Sequence, residues 1–333
     1  PPSRRAFALG VWGTIGALTG LCGSPIAAGL IELFNWQAIF ILTGGFSLLI
    51  LLAGFVVLSD EQEGNNQLPI DWVSAIIAVM AVGGLTLFLV QGQEWGFSSP
   101  VTLLCLCISI ISTQILARRN RTQRHPLFPP AIFAQRSFTI GAAGSALCQV
   151  GFFSIYFGLP LYMREVWSWS PLKIGFALIP LNVVPLLTAA VAGKIVDRQG
   201  PRPMVIFGGI WSGVSFLIIG FFLMEAGYIL FALGLLVSGL GAMAIGNNTT
   251  IATLLDIEDG LLASASSASY TARRLGSALG AVLTASIVGN RLGSDFKDVY
   301  IWVWILGAGA YLLGSLITCL YYPRRNEQGL SNV

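Results

Sequence analysis

The sequence predicts an all-α protein, a polytopic transmembrane helical bundle of about ten spans. Three observations predict it. Only 10% of the 333 residues are Asp, Glu, Lys or Arg, and 55% are hydrophobic, whereas soluble domains carry roughly 25% charged residues. The mean hydropathy is +0.78. The apolar residues come in runs of roughly 20, the length a helix needs to cross a bilayer. This composition excludes a soluble globular enzyme, a disordered chain and a nucleic-acid binder, and the net charge of +3 is too small to imply an anionic partner. No span alternates with period two over ten residues, so a β-barrel is excluded as well.

The chain begins Pro1-Pro2-Ser3-Arg4-Arg5 without Met, which reads as a processed product or a fragment. Span one, about 8–32, is too long for a signal-peptide core, and no cleavage site follows it. It carries Gly16, Gly20, Ser24 and Ala28 at every fourth residue. That spacing makes one stripe of small residues, along which another helix approaches closely. Gly13, Gly23 and Gly29 widen the stripe, and Pro25 removes a backbone hydrogen bond. The stripe is either a fixed packing face or a face that slides during transport.

Span two covers about 37–58. The polar segment after it holds Asp60, Glu61, Glu63, Asn65 and Asn66. Spans three and four, about 70–91 and 99–117, lead to a second polar connection, 118–137. It holds Arg118, Arg119, Arg121 and Arg124 and the stretch Pro126-Leu127-Phe128-Pro129-Pro130, and it is the best boundary between two bundles. Six further spans follow at about 138–163, 173–194, 203–224, 228–252, 264–289 and 300–321. With the N-terminus on the cytoplasmic side, this map places 14 of the 18 Lys and Arg inside, as the positive-inside rule requires. Both ends are then cytoplasmic. Trp36, Trp72, Trp95, Trp167, Trp169, Trp302 and Trp304 fall near span ends as an interfacial belt.

Chemistry is sparse. Cys22, Cys105, Cys107, Cys148 and Cys319 sit inside apolar runs and suggest neither disulfides nor a metal site. The single His, His125, is in a polar stretch. No metal or cofactor site and no catalytic residue is expected. The chain lacks G-x-S-x-G, H-E-x-x-H and a phosphate loop, so ATP does not drive it. The carboxylates all fall in loops or near span ends.

Several motifs resemble the fourteen-helix drug:proton antiporter family of the major facilitator superfamily. Gly16-x-x-x-Gly20 with Gly23-Ser24-Pro25-Ile26-Ala27-Ala28-Gly29 resembles the antiporter motif of the family's fifth core helix, with Ser24 and Ala28 in place of two Gly. Asn35-Trp36-Gln37-Ala38-Ile39-Phe40 resembles the segment after it, with Gln37 in place of Arg. Asp71-Trp72 and Pro126-Leu127-Phe128 are similar to family signatures. The stretch from Gly193 to Arg202, with Asp197, Arg198 and Gly200, resembles the superfamily loop motif, and Arg274-x-x-Gly276-x-x-x-Gly280 resembles the opening of the next-to-last span.

The resemblance implies a major facilitator fold lacking its first four helices. Residues 1–58 are then the last two helices of the N-terminal six-helix bundle, 59–136 two extra linker helices and a cytoplasmic loop, and 137–333 the C-terminal six-helix bundle. The small-residue stripe is expected against the second span of the C-terminal half, which holds Asn182 and Ala189. Asp197 is either a solvated acid among basic neighbours or a latch onto Arg4-Arg5 at the start of span one. Gln149, Asn182, Asn247 and Asn248 are substrate-pathway candidates or interhelical hydrogen bonders. Arg273 and Arg274, taken to open span nine on the cytoplasmic side, either snorkel or pair with an acid across the two halves. The implied function is secondary active transport in the cell membrane: proton-coupled efflux of small amphipathic compounds, with the coupling acid in the missing helices. The same fold also suits export or import of a defined metabolite or chelate. A membrane receptor is a weaker reading, and an intramembrane enzyme has no nucleophile to use.

Overall fold

The structure, a computed structural model, describes residues 2–57, 71–123, 126–246, 248–289 and 296–323. The side chains of residues 2–17, 57, 93, 189, 190, 197, 259, 296 and 297 lie outside the description. Among the described residues every regular element is helical. The first four helices are α1 (Pro2–Leu33), α2 (Gln37–Val57), α3 (Trp72–Trp95) and α4 (Pro100–Thr122). A short α5 (Pro130–Ala134) leads into α6 (Arg136–Glu165), α7 (Pro171–Ala177), α8 (Ile179–Gln199) and α9 (Pro201–Ile218). The chain closes with α10 (Tyr228–Ile245), α11 (Asn248–Leu254), α12 (Leu262–Gly289) and α13 (Phe296–Tyr321).

These helices run along the ten predicted lines, two of which are broken. Span six consists of α7 and α8. Pro180 has no N–H, and its ring crowds the carbonyl four residues back, and the helix is interrupted by a turn at Leu178, φ −87, ψ −8. Span eight breaks after Ile245, where Gly246 takes φ −2, ψ −113. Beyond the break, buried Asn248 donates from Nδ2 to the carbonyl of Ala244 at 2.9 Å and satisfies a group the helix end leaves open.

Eight helices among the described residues are long and apolar enough to cross a membrane. The apolar part of α1 within the described residues, Leu18–Leu33, is shorter. The other exception, α12, carries Ser264, Ser266, Ser267, Ser269, Arg273 and Arg274 in its first half, so its hydropathy falls although its length suffices. The protein is an integral membrane protein, and the exposed apolar side chains of α2, such as Phe40, Ile50, Phe55 and Val56, suit a lipid environment.

Helix α6 is central and packs against α12 and α13, while α9 joins α13 and α10. Polar cross-links replace the hydrophobic driving force that lipid removes. Ser154 Oγ donates to the Gly280 carbonyl at 3.2 Å, and Thr284 Oγ1 donates to the Ser154 carbonyl at 3.3 Å. Trp304, expected in the interfacial belt, instead fills the core with Tyr300, Tyr311, Phe231 and Leu159. Helices α3 and α4 form a tight hairpin, fastened by Ser109 Oγ to the Ala81 carbonyl at 2.7 Å; α3 also touches α12. Helix α1 lies on α7 and α8, with α2 beside it.

Candidate transport interface

The small-residue face of α1 meets α7 and α8 at backbone distance. A Cβ at Gly175 would stand 2.7 Å from the Ala28 Cβ, 2.8 Å from the Ser24 carbonyl oxygen and 3.1 Å from the Pro25 Cα. No side chain fits there, so Gly175 is what permits the approach. One turn and more along α1, Gly20 faces Asn182, whose Oδ1 would be 3.3 Å from an added Cβ. Gly29 faces Leu172, whose Cδ1 would be 3.7 Å from an added Cβ. Glu32 Oε2 accepts from the Leu172 N–H at 3.0 Å, closing the end of the contact at the first turn of α7, where free N–H groups favour a carboxylate.

Two buried polar atoms on this interface, Ser24 Oγ and Asn182 Nδ2, have no hydrogen-bond partner among the described residues. Gly23 has open space around it, so it does not widen the stripe against this neighbour. Helix α1 runs unbroken through Pro25. The surroundings of Gly16 and the side chain of Ala189 lie outside the described residues.

The loop motif separates into parts with distinct physical roles. Gly200 joins α8 to α9 at φ 79, ψ 170, a conformation essentially reserved for glycine. Pro201 then starts α9, where its missing N–H costs nothing. Arg202 Nη2 donates to the Cys319 carbonyl at 2.7 Å. Gly193 and Arg198 are exposed, and the Asp197 side chain lies outside the described residues.

A second polar cluster lies between α6, α11 and α12. Arg273 Nη1 donates to Thr250 Oγ1 at 2.6 Å, and its guanidinium sits 5.7 Å from the Tyr270 ring centroid. Ser277 Oγ donates to the Arg273 carbonyl at 3.0 Å and receives Gln149 Nε2 at 3.5 Å. Arg273 does not open its helix. It lies about eleven residues after Leu262, roughly 16 Å along the axis, because α12 begins well before its apolar half. It is half-buried, and Arg274 beside it is exposed. The expected pathway set is thus dispersed. Gln149 joins Arg273, Asn182 faces α1, Asn248 mends a helix break, and Asn247 lies outside the described residues.

Sequence reasoning missed Gly175, Thr250 and Tyr270. Gly175 is in no motif, and the other two acquire meaning only through their neighbours. It also missed Asp71 and Arg119 as a pair. Asp71 accepts from the Ser74 hydroxyl at 2.5 Å and the Ser74 N–H at 3.0 Å, and Arg119 reaches it at 3.1 Å. The two Ser74 hydrogen bonds, with Arg119 adding to them against partial burial, hold the Asp71 carboxyl down at about 2.

Residues 141–332 match the model of the Major Facilitator Superfamily. The chain belongs to the major facilitator superfamily. This major facilitator chain is 25% identical over 300 residues to the tetracenomycin C resistance and export protein of Streptomyces glaucescens, covering 90% of this chain and 55% of that protein. It is 25% identical over 296 residues to the multidrug export protein EmrB of Escherichia coli K12, covering 87% and 57%. It is also 24% identical over 210 residues to the lincomycin resistance protein LmrB of Bacillus subtilis, covering 62% and 44%. The chain spans about half the length of the curated relatives it matches.

Proposed function

We propose that this major facilitator chain is part of a secondary active exporter of small amphipathic compounds, driven by proton exchange across the cell membrane. The observation that carries the reading is the backbone-close contact of α1 with α7 and α8 through Gly20, Ala28 and Gly175, on the segment that resembles the antiporter motif. Similarity to export and resistance proteins over most of the chain supports it. Residues 1–58 and 137–333 are the two sides of the moving interface, and 59–136 is an added hairpin with its loop.

The substrate is a small molecule. Gln149, Asn182 and Arg273 are the side chains that face it or the opposing half, and Arg273 takes an acidic partner across the interface. The proton-coupling acid lies in further spans, for which the length of the relatives leaves room. Both ends of the chain face the cytoplasm. The motif around Asp197 latches the two halves on that side. No step of covalent chemistry is involved.

Inverted membrane vesicles containing the full-length protein test the reading. A substrate should collapse an imposed pH gradient and accumulate inside, and an uncoupler should abolish the accumulation. Accumulation that persists with the gradient collapsed refutes proton exchange. Absence of any movement across a panel of amphipathic compounds refutes export.

A further inference from the structure

We propose that α4 carries a binding site for one anionic phospholipid, whose phosphate is held by Arg118 and Arg121. The run of arginines at the end of α4 is not one uniform patch. Arg119 points to α3 and is ion-paired with Asp71 at 3.1 Å. Arg118 and Arg121 are exposed on the opposite side, and their guanidiniums hydrogen-bond to no described residue. Together with Gln114 and Ala117 they line a cavity of about 220 Å³. Residues 114, 117, 118 and 121 are one and two helical turns apart and share a face. Ala117 supplies the floor because its side chain is small, and among the described residues no carboxylate lines the cavity.

The same face continues as an apolar strip. At 100° per residue, Leu103, Cys107, Ile110 and Ile111 fall within about 60° of Gln114, and all four are exposed. The buried face lies opposite, with Thr102, Ser109 and Ser112 against α3. From Ala117 to Cys107 the strip is about 15 Å long, half of a hydrocarbon core roughly 30 Å thick and so one leaflet. Two guanidiniums at headgroup level above one leaflet of apolar surface match a phosphate with acyl chains attached. A soluble anion would leave the strip unused, and a zwitterionic lipid would bring a cation to two arginines. Basic pockets at membrane helix ends bind anionic headgroups for this reason.

Native mass spectrometry of the full-length protein, equilibrated with equal amounts of phosphatidylglycerol and phosphatidylcholine, tests the site. The wild type should retain phosphatidylglycerol over phosphatidylcholine by about tenfold or more. Arg118→Gln with Arg121→Gln should bring the ratio near parity, whereas Arg136→Gln should leave it unchanged. Phosphatidylglycerol with a photoreactive acyl chain should label residues 103–111 in the wild type and lose that labelling in the double variant. Equal ratios in wild type and double variant overturn the proposal, as does an equal loss in Arg136→Gln, which would indicate general charge. Cross-links from this strip to another protein segment in place of lipid also overturn it, because protein would then cover the face.

Discussion

Arg202 Nη2 donates to the backbone carbonyl of Cys319 at 2.7 Å, tying the first turn of α9 to the last turn of α13. A helix C-terminus exposes carbonyls without partners and carries partial negative charge, so a cation is favoured there. The basic residue that ends the loop motif therefore braces the C-terminal bundle internally. Arg202→Met should lower stability by about 1 kcal/mol, seen as an earlier thermal transition in detergent. Arg202→Lys, which keeps the charge, should recover part of the loss. A variant as stable as wild type contradicts the brace.

The α1 interface predicts unequal effects from similar substitutions. At Gly175 the neighbours of a new Cβ are backbone and the root of Ala28, whereas at Gly20 the neighbour is the end of the Asn182 side chain. Gly175→Ala should therefore cost roughly 1–3 kcal/mol by overpacking, and Gly20→Ala less, because Asn182 can turn aside. Gly20→Leu exceeds that freedom and should impair transport by the full-length protein. Thermal stability and transport of the three variants check the order. Gly20→Ala proving the more damaging alanine would refute it.

The Asp71 cluster predicts an acid dependence. Its carboxyl falls from an ordinary 3.8 to about 2 in the folded chain. A depressed acid contributes stability that is complete above the unfolded value and fades as pH falls through the folded one. Wild type and Asp71→Asn should differ at neutral pH, keep that difference down to about 4, and converge near 2. Unfolding midpoints across this range measure it, and a constant difference would exclude the ionised carboxylate as the cause.

The hairpin also shows which helix ends share a membrane face. Asp71 and Arg119 touch, so the start of α3 and the end of α4 share one membrane face, and Trp95 lies at the other end of α3. Cysteines placed at positions 95 and 121, with native Cys removed, should react with an impermeant reagent from opposite sides, position 121 from the cytoplasm. Labelling of both from one side breaks the topology.

Arg273 predicts a separation of charge from geometry. Arg273→Gln removes the cation and should cut transport about tenfold or more, the equivalent of about 1.4 kcal/mol. Thr250→Val removes only the 2.6 Å hydrogen bond and should act more weakly. If both variants transport normally, the cluster serves packing alone.

The sequence by itself determined the class, the ten helical lines and the small-residue stripe of α1. Run length is set by bilayer thickness and stripe spacing by helical periodicity, and both are local properties that a linear reading captures. Gly200 entered the sequence reading only as part of the loop motif, and its turn at φ 79 is a finding of the structure. Tertiary structure alone decided the partners. Gly175 matters because Ala28 and Ser24 lie across from it, and Arg119 differs from Arg118 because Asp71 occupies one side of α4 and nothing described occupies the other. Arg273 moved from a helix end to its interior because α12 begins in a Ser-rich segment with little hydropathy signal. Contacts between residues far apart in the chain depend on which faces meet, and in a membrane many faces are apolar. Hydrophobic patterning therefore marks the spans without saying how they pair, and backbone-close glycines and a few buried hydrogen bonds settle the pairing.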